Sequence, residues 1–222
     1  MKKFFCVILS LSMLFLLFSC AGEKEAVLSD GIGSVNGEII TEEEYEYFRK
    51  KYKSQVLNEC LDKFDVEYTE DFWETEFDGV TPQELLHNRV VKECVMAKIQ
   101  FLLMKEEGIY EDVTFEGLKQ KAESFNKENE NKESVVGIKS IQMSQFYSYY
   151  LQTGVMELQN IYAEDKLEPT EAEIKAKISE MTKELTSFSE QEYENIAKSR
   201  LKSEKYEQYI NELYEKAEIK EF

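Results

Sequence analysis

Few side chains in this 222-residue chain are spaced for chemistry. His87 is the only histidine. It falls beside an apolar helical stripe and has no serine or cysteine partner in a recognisable motif, so a solvated or hydrogen-bonded helical histidine is expected. No GxSxG, HExxH, P-loop or Rossmann glycine pattern occurs. The many carboxylates show no EF-hand spacing, since residues 126–133 lack the required glycine. They read as solvated helix faces. Cys60 and Cys94 fall inside predicted helices and form no CxxC. Two buried thiols are expected there, although export would permit a disulfide. No catalytic residue, cofactor or metal is implied. The cysteine with a chemical address is Cys20.

Cys20 closes an apolar run from Phe4 to Phe18 that follows Lys2 and Lys3. A basic start, an apolar stretch and small residues around the end are the layout of an export signal. The stretch is short for a bilayer-spanning helix, which needs about 20 apolar residues. The segment Leu17-Phe18-Ser19-Cys20 resembles the lipobox of bacterial lipoproteins. That resemblance implies cleavage before Cys20 and multiple acylation of the cysteine, on the extracytoplasmic face of the cell membrane.

Composition narrows the partners. The formal charge is −18, and loss of Lys2 and Lys3 with residues 1–19 makes it −20. Such a surface repels nucleic acid and anionic headgroups, so membrane attachment falls to the lipid anchor and no nucleic-acid partner is expected. A single acyl chain anchors only marginally, whereas two or more suffice.

The elements are clearly punctuated. Asn36-Gly37 between β-branched residues marks a tight hairpin, because its turn needs positive φ twice. Beyond Ile40 the chain reads as helix. Four capping boxes mark helix starts: Thr41 with Glu44, Thr81 with Glu84, Thr170 with Glu173, and Ser189 with Glu192. The first helix, from Glu42, carries Tyr45, Phe48, Tyr52 and Val56 on one face. The second runs from Pro82 towards Glu107, with the stripe Leu86, Val90, Cys94, Ala97, Phe101, Met104 and a stop at Gly108. A charged helix is predicted over Phe115–Lys127, followed by a polar loop over 126–134. The last helix spans Glu190 to about Lys216. Its stripe changes phase from Tyr193, Ala197, Leu201 to Tyr206, Ile210, Leu213, so it must meet two different partners. Residues 217–222 alternate like a short strand.

One stretch breaks the charged pattern. Ile141 to Tyr162 contains a single charged residue, Glu157, in a chain that is 32% charged. Tyr147, Leu151, Val155, Leu158 and Tyr162 form one stripe. Phe146, Tyr149, Thr153, Met156 and Asn160 form another on roughly the opposite side. A helix apolar on both sides is either central to the core or offers one face to a partner. Aromatic and methionine side chains suit an adaptable apolar groove. Phe146, Tyr149 and Met156 are therefore candidate client-binding residues. Phe72 and Trp73, in an acidic loop, are a second candidate pair, with loop anchoring as the alternative.

Three stretches together resemble the SurA/PrsA/trigger-factor-like extracytoplasmic chaperones. They are Val35-Asn36-Gly37-Glu38-Ile39-Ile40-Thr41, the helix from Thr81 to Gly108-Ile109, and Pro169-Thr170-Glu171-Ala172-Glu173-Ile174. The resemblance implies a mainly α fold: a helical chaperone domain with a short N-terminal β-hairpin and a C-terminal strand. It also implies that hairpin and strand come together, with the last helix beside the first. PrsA- and SurA-like proteins usually continue into a parvulin-type prolyl isomerase after this third stretch. Here about 15 residues separate Ile174 from Ser189, against the ~50 a domain needs, so the isomerase is expected to be absent.

The expected organisation is a lipoprotein signal peptide over 1–19, a lipidated tether over 20–32 and a helical chaperone-like domain over 33–222, in which 189–222 returns to the hairpin. The expected function is a membrane-anchored, ATP-independent holdase or foldase binding unfolded or partly folded exported polypeptides in apolar grooves. The overall acidity would favour basic clients. The alternatives are an accessory or structural lipoprotein with one specific protein partner, or a degenerate peptidyl-prolyl isomerase.

Overall fold

The computed structural model describes residues 31–130, 138–183, 188–220 and 222. The signal segment 1–19, Cys20 and most of the tether lie outside the described residues. Strand β1 covers Gly31–Val35 and β2 covers Glu38–Thr41. The strand thus starts inside the stretch assigned to the tether. Asn36 and Gly37 join the two strands with φ of 50° and 85°, the left-handed pair that a tight hairpin requires. The C-terminal strand β3, Ile219–Lys220, pairs antiparallel with β1, giving the order β2-β1-β3. Asn36 secures the junction: its N–H donates to the Glu218 carbonyl at 2.9 Å, and its Oδ1 accepts from the Glu218 N–H at 2.9 Å.

Six helices follow β2: α1 Glu42–Phe64, α2 Pro82–Glu106, α3 Phe115–Glu130, α4 Met143–Glu164, α5 Glu171–Met181 and α6 Glu190–Lys216. All four predicted capping boxes are formed, at the starts of α1, α2, α5 and α6. Gly108, at φ 73°, ends the turn after α2 in a conformation that side chains with a Cβ rarely adopt. Helix α3 runs past its predicted end into the expected polar loop. The Asn126 side chain explains how the chain turns back: its amide donates to the Ile141 carbonyl at 2.9 Å and its Oδ1 accepts from the Ile141 N–H at 2.7 Å.

Helix α2 is the centre of the molecule. Its whole predicted stripe is buried, and so are Val95, Ile99 and Leu103 off that stripe. A helix that is apolar on most sides must be covered on most sides. Helices α1, α4 and α6 do this, and the sheet meets it as well. The last helix therefore packs on α2 and α4, not chiefly beside the first helix. Gly154 lets α4 approach α2 closely, because a Cβ at that position would run into Met104 and Tyr110.

The phase change in the last helix has a direct structural counterpart. Its first half shares a small separate core with α5, made by Met181, Tyr193 and Ala197 with Ile174, Ile178 and Ile196 around them. Its second half sends Tyr206 and Ile210 into the main core. Lys177 to Glu204, at 2.8 Å, and Lys205 to Glu173, at 2.9 Å, tie α5 to the middle of α6.

Candidate apolar binding groove

Helix α4 holds the stretch with a single charge, Glu157, yet it is not the central helix. Its Tyr147, Leu158 and Tyr162 are buried, while Tyr149 and Met156 are 62% and 64% exposed. Gln145, Gln152 and Asn160 are exposed on the same outer side, with Glu157 at its edge. Of the predicted client-facing residues, these two reach solvent. Phe146 sits at 9% exposure and contributes to the floor of a groove between α3 and α4, with Phe125, Tyr150 and Lys121 around it. There Lys121 Nζ donates to Tyr150 Oη at 2.6 Å, and Tyr150 stacks on Tyr110 with ring centres 3.8 Å apart. Burial against this stack pushes the Tyr110 phenol up to about 12.

A larger groove of about 670 Å³ opens on the other side of α4, between it, α1 and α3. Tyr147 and Phe115 form its floor, and Tyr47 and Met143 its walls. The floor is rigid because Tyr147 is an aromatic hub, with the rings of Tyr47, Phe48, Phe101 and Phe115 centred within 6.0 Å of its own. Lys50, Lys51, Lys119, Glu43 and Glu46 surround the opening. The overall acidity of the chain predicts a repulsive rim for acidic groups, and the groove's own charges do not follow it.

Beneath this floor lies a polar cluster that periodicity cannot disclose. Glu44 belongs to the α1 capping box: its Oε2 accepts from the Thr41 N–H at 2.9 Å. Its Oε1 meets Lys98 Nζ at 2.8 Å and Tyr147 Oη at 3.5 Å. Both charged side chains are 3% exposed. Burial, and then the Glu44 carboxylate, raise the Tyr147 phenol well above its ordinary range. The same two causes raise the Cys94 thiol, and burial raises that of Cys60. Both cysteines are free and buried, so the thiols are unreactive core groups. The capping-box spacing disclosed Glu44 as a cap. Only a lysine on the predicted apolar helix, out of its stripe, hinted at a buried partner.

The second predicted pair separates. Phe72 is fully buried, ringed by Tyr68, Trp73 and Phe77 with centroids 5.6–5.8 Å away, so it anchors the loop and is not a contact surface. Trp73 is half-buried at the edge of a cleft of about 580 Å³, with Lys53 Nζ 5.3 Å from its ring centre. His87 lines this cleft and its Nδ1 lies 2.8 Å from Tyr45 Oη, a helix–helix hydrogen bond of the expected kind. Among the described residues, no group of three His, Cys, Asp or Glu side chains is placed to hold a metal. Nor is any described helix long and apolar enough to cross a membrane.

The chain has a partial sequence match among curated proteins. The chain is 30% identical over 114 residues to the foldase protein PrsA of Caldanaerobacter subterraneus subsp. tengcongensis. The likeness to a PrsA foldase is a distant one. The match takes in 51% of this chain and 34% of the relative, so the chain spans about a third of that protein's length. No protein-family model matches, and no solved structure matches significantly.

Proposed function

We propose that this protein is an ATP-independent holdase or foldase for exported polypeptides, held at the extracytoplasmic membrane face by lipid on Cys20. The observation that carries the reading is the surface of α4. Tyr149 and Met156 stand exposed on the outer side of α4, and the same helix contributes Tyr147 and Phe146 to the aromatic floors of two open grooves. An unfolded segment could bury apolar side chains there at ~25 cal/mol per Å². The similarity to a PrsA foldase supports a client of this kind. Action by binding alone is supported by the connection from α5 to α6, where residues 182–189 leave no room for an isomerase domain. Membrane attachment through Cys20 rests on the lipobox-like sequence.

The test is aggregation suppression. The chain from Ala21, which keeps every described element, should hold a chemically unfolded model protein in solution at near-stoichiometric ratios, read by light scattering. Tyr149→Ser with Met156→Ser should weaken suppression with the thermal midpoint retained. No suppression at several-fold excess of folded protein overturns the reading. Recovery of one stoichiometric partner from cells, with no broad set of clients, would replace it with the accessory-lipoprotein alternative.

A further inference from the structure

The groove between α1, α3 and α4 has a charge balance opposite to that of the whole molecule. Of its two rim carboxylates, Glu46 is already bound by Arg49 through two contacts, at 2.6 and 3.0 Å. Glu43 is paired with Lys119 at 3.5 Å. The cations are less committed. Lys50 acts on Glu46 through space, behind the closer Arg49, and Lys51 Nζ lies over the Phe48 and Tyr52 rings at 5.8 and 5.2 Å. The third wall is formed by Gln142, Met143 and Ser144. These residues begin the 22-residue helix α4, whose first turn carries no acidic side chain. The unpaired amides at a helix start carry a partial positive charge, and here no acid offsets it. Two ammonium groups outside any close ion pair and one helix start therefore face an aromatic floor.

We propose that this groove selects apolar polypeptide segments that also carry carboxylates, with the apolar side chain on Tyr147 and Phe115 and the carboxylate at Lys50 and Lys51. The occupant is an acidic-apolar client segment. This inference rests on the chaperone reading and reverses the client preference that the net charge alone predicts. The charge of −18 acts at a distance and is screened beyond ~8 Å at physiological ionic strength. The lysines act at contact, inside that length. Discrimination between segments is accordingly set at the groove, while net charge governs the rate of approach.

Two fluorescent peptides with one apolar core, flanked either by aspartates or by lysines, test the proposal by anisotropy titration at 0.15 M salt. The aspartate form should bind about threefold to tenfold more tightly, the range for two exposed charge contacts. Lys50→Glu with Lys51→Glu should invert the preference. Both side chains are exposed, and an unchanged circular dichroism spectrum and thermal midpoint would show that the fold is kept. Should the reversal unfold the chain, Lys50→Gln with Lys51→Gln should abolish the preference. Equal binding of both peptides, tighter binding of the lysine form, or a preference that survives reversal overturns the charge selection and leaves the chaperone reading standing. Binding of neither peptide overturns both.

Discussion

Lys98 Nζ lies 2.8 Å from Glu44 Oε1, and both side chains are almost wholly withdrawn from water. The pair joins the start of α1 to the central helix α2, directly beneath the floor of the larger groove. A buried pair contributes little over an apolar replacement, but losing one partner strands a charge. Lys98→Met should therefore cost about 3–5 kcal/mol in chemical denaturation. Adding Glu44→Gln, which keeps an oxygen for the Thr41 cap, should recover much of that loss. A double variant no more stable than the single would show that packing, not the stranded charge, sets the cost.

The two sides of α4 should respond differently to truncation. Leu158→Ala removes a fully buried side chain and should cost about 2–5 kcal/mol. Tyr149→Ser and Met156→Ser should each stay within about 0.5 kcal/mol of wild type, as exposed substitutions do. Denaturant midpoints decide this, and a large loss at Met156 would mean that the outer side is covered.

Acid should loosen α5 early. Lys205 and the Thr170 cap hold the Glu173 carboxyl down to about 2. A carboxyl depressed in the folded state contributes stability above its ordinary value near 4.5 and loses it as pH falls towards about 2. The capping carboxyls Glu84 and Glu192 are lowered by their own cap hydrogen bonds and change in the same direction. Helical ellipticity should fall between roughly pH 4.5 and 2, and Glu173→Gln should flatten that part of the profile. An unchanged profile in the variant would refute the assignment.

Cys60 and Cys94 should resist thiol reagents in the folded protein and react fully once it is unfolded. Both are 2% exposed, and burial raises both thiols. Rapid modification under native conditions would contradict the packing.

Much of this fold is readable in the sequence because local rules set it. The Asn36-Gly37 turn, four capping boxes and the phase change after Leu201 each depend on neighbours within a few residues. The sequence is less explicit about which helix lies at the centre. The sparsely charged Ile141–Tyr162 stretch suggests α4, whereas α2 takes that place because Val95, Ile99 and Leu103 add a second buried side to its stripe. Tyr149 and Met156 could be singled out by the absence of charge around them. The groove beside them could not, since Tyr47, Phe115 and Met143 come from three helices that only tertiary packing brings together. Phe72 and Trp73 are adjacent in sequence and alike in chemistry, and only the turn geometry sends one inward and leaves the other at a cleft.

The division of α6 between two cores has a consequence for how the molecule breathes. The α5 cluster is too small to hold its helices closed alone, while Tyr206 and Ile210 are locked into the main body. Opening of α5 with the first half of α6 is thus a sub-global event that leaves the grooves beside α4 standing. Amide exchange along this one continuous helix would show a step near Leu201, fast before it and slow after it. A protein built this way can let one end of itself come apart and re-form while its binding surface keeps its shape.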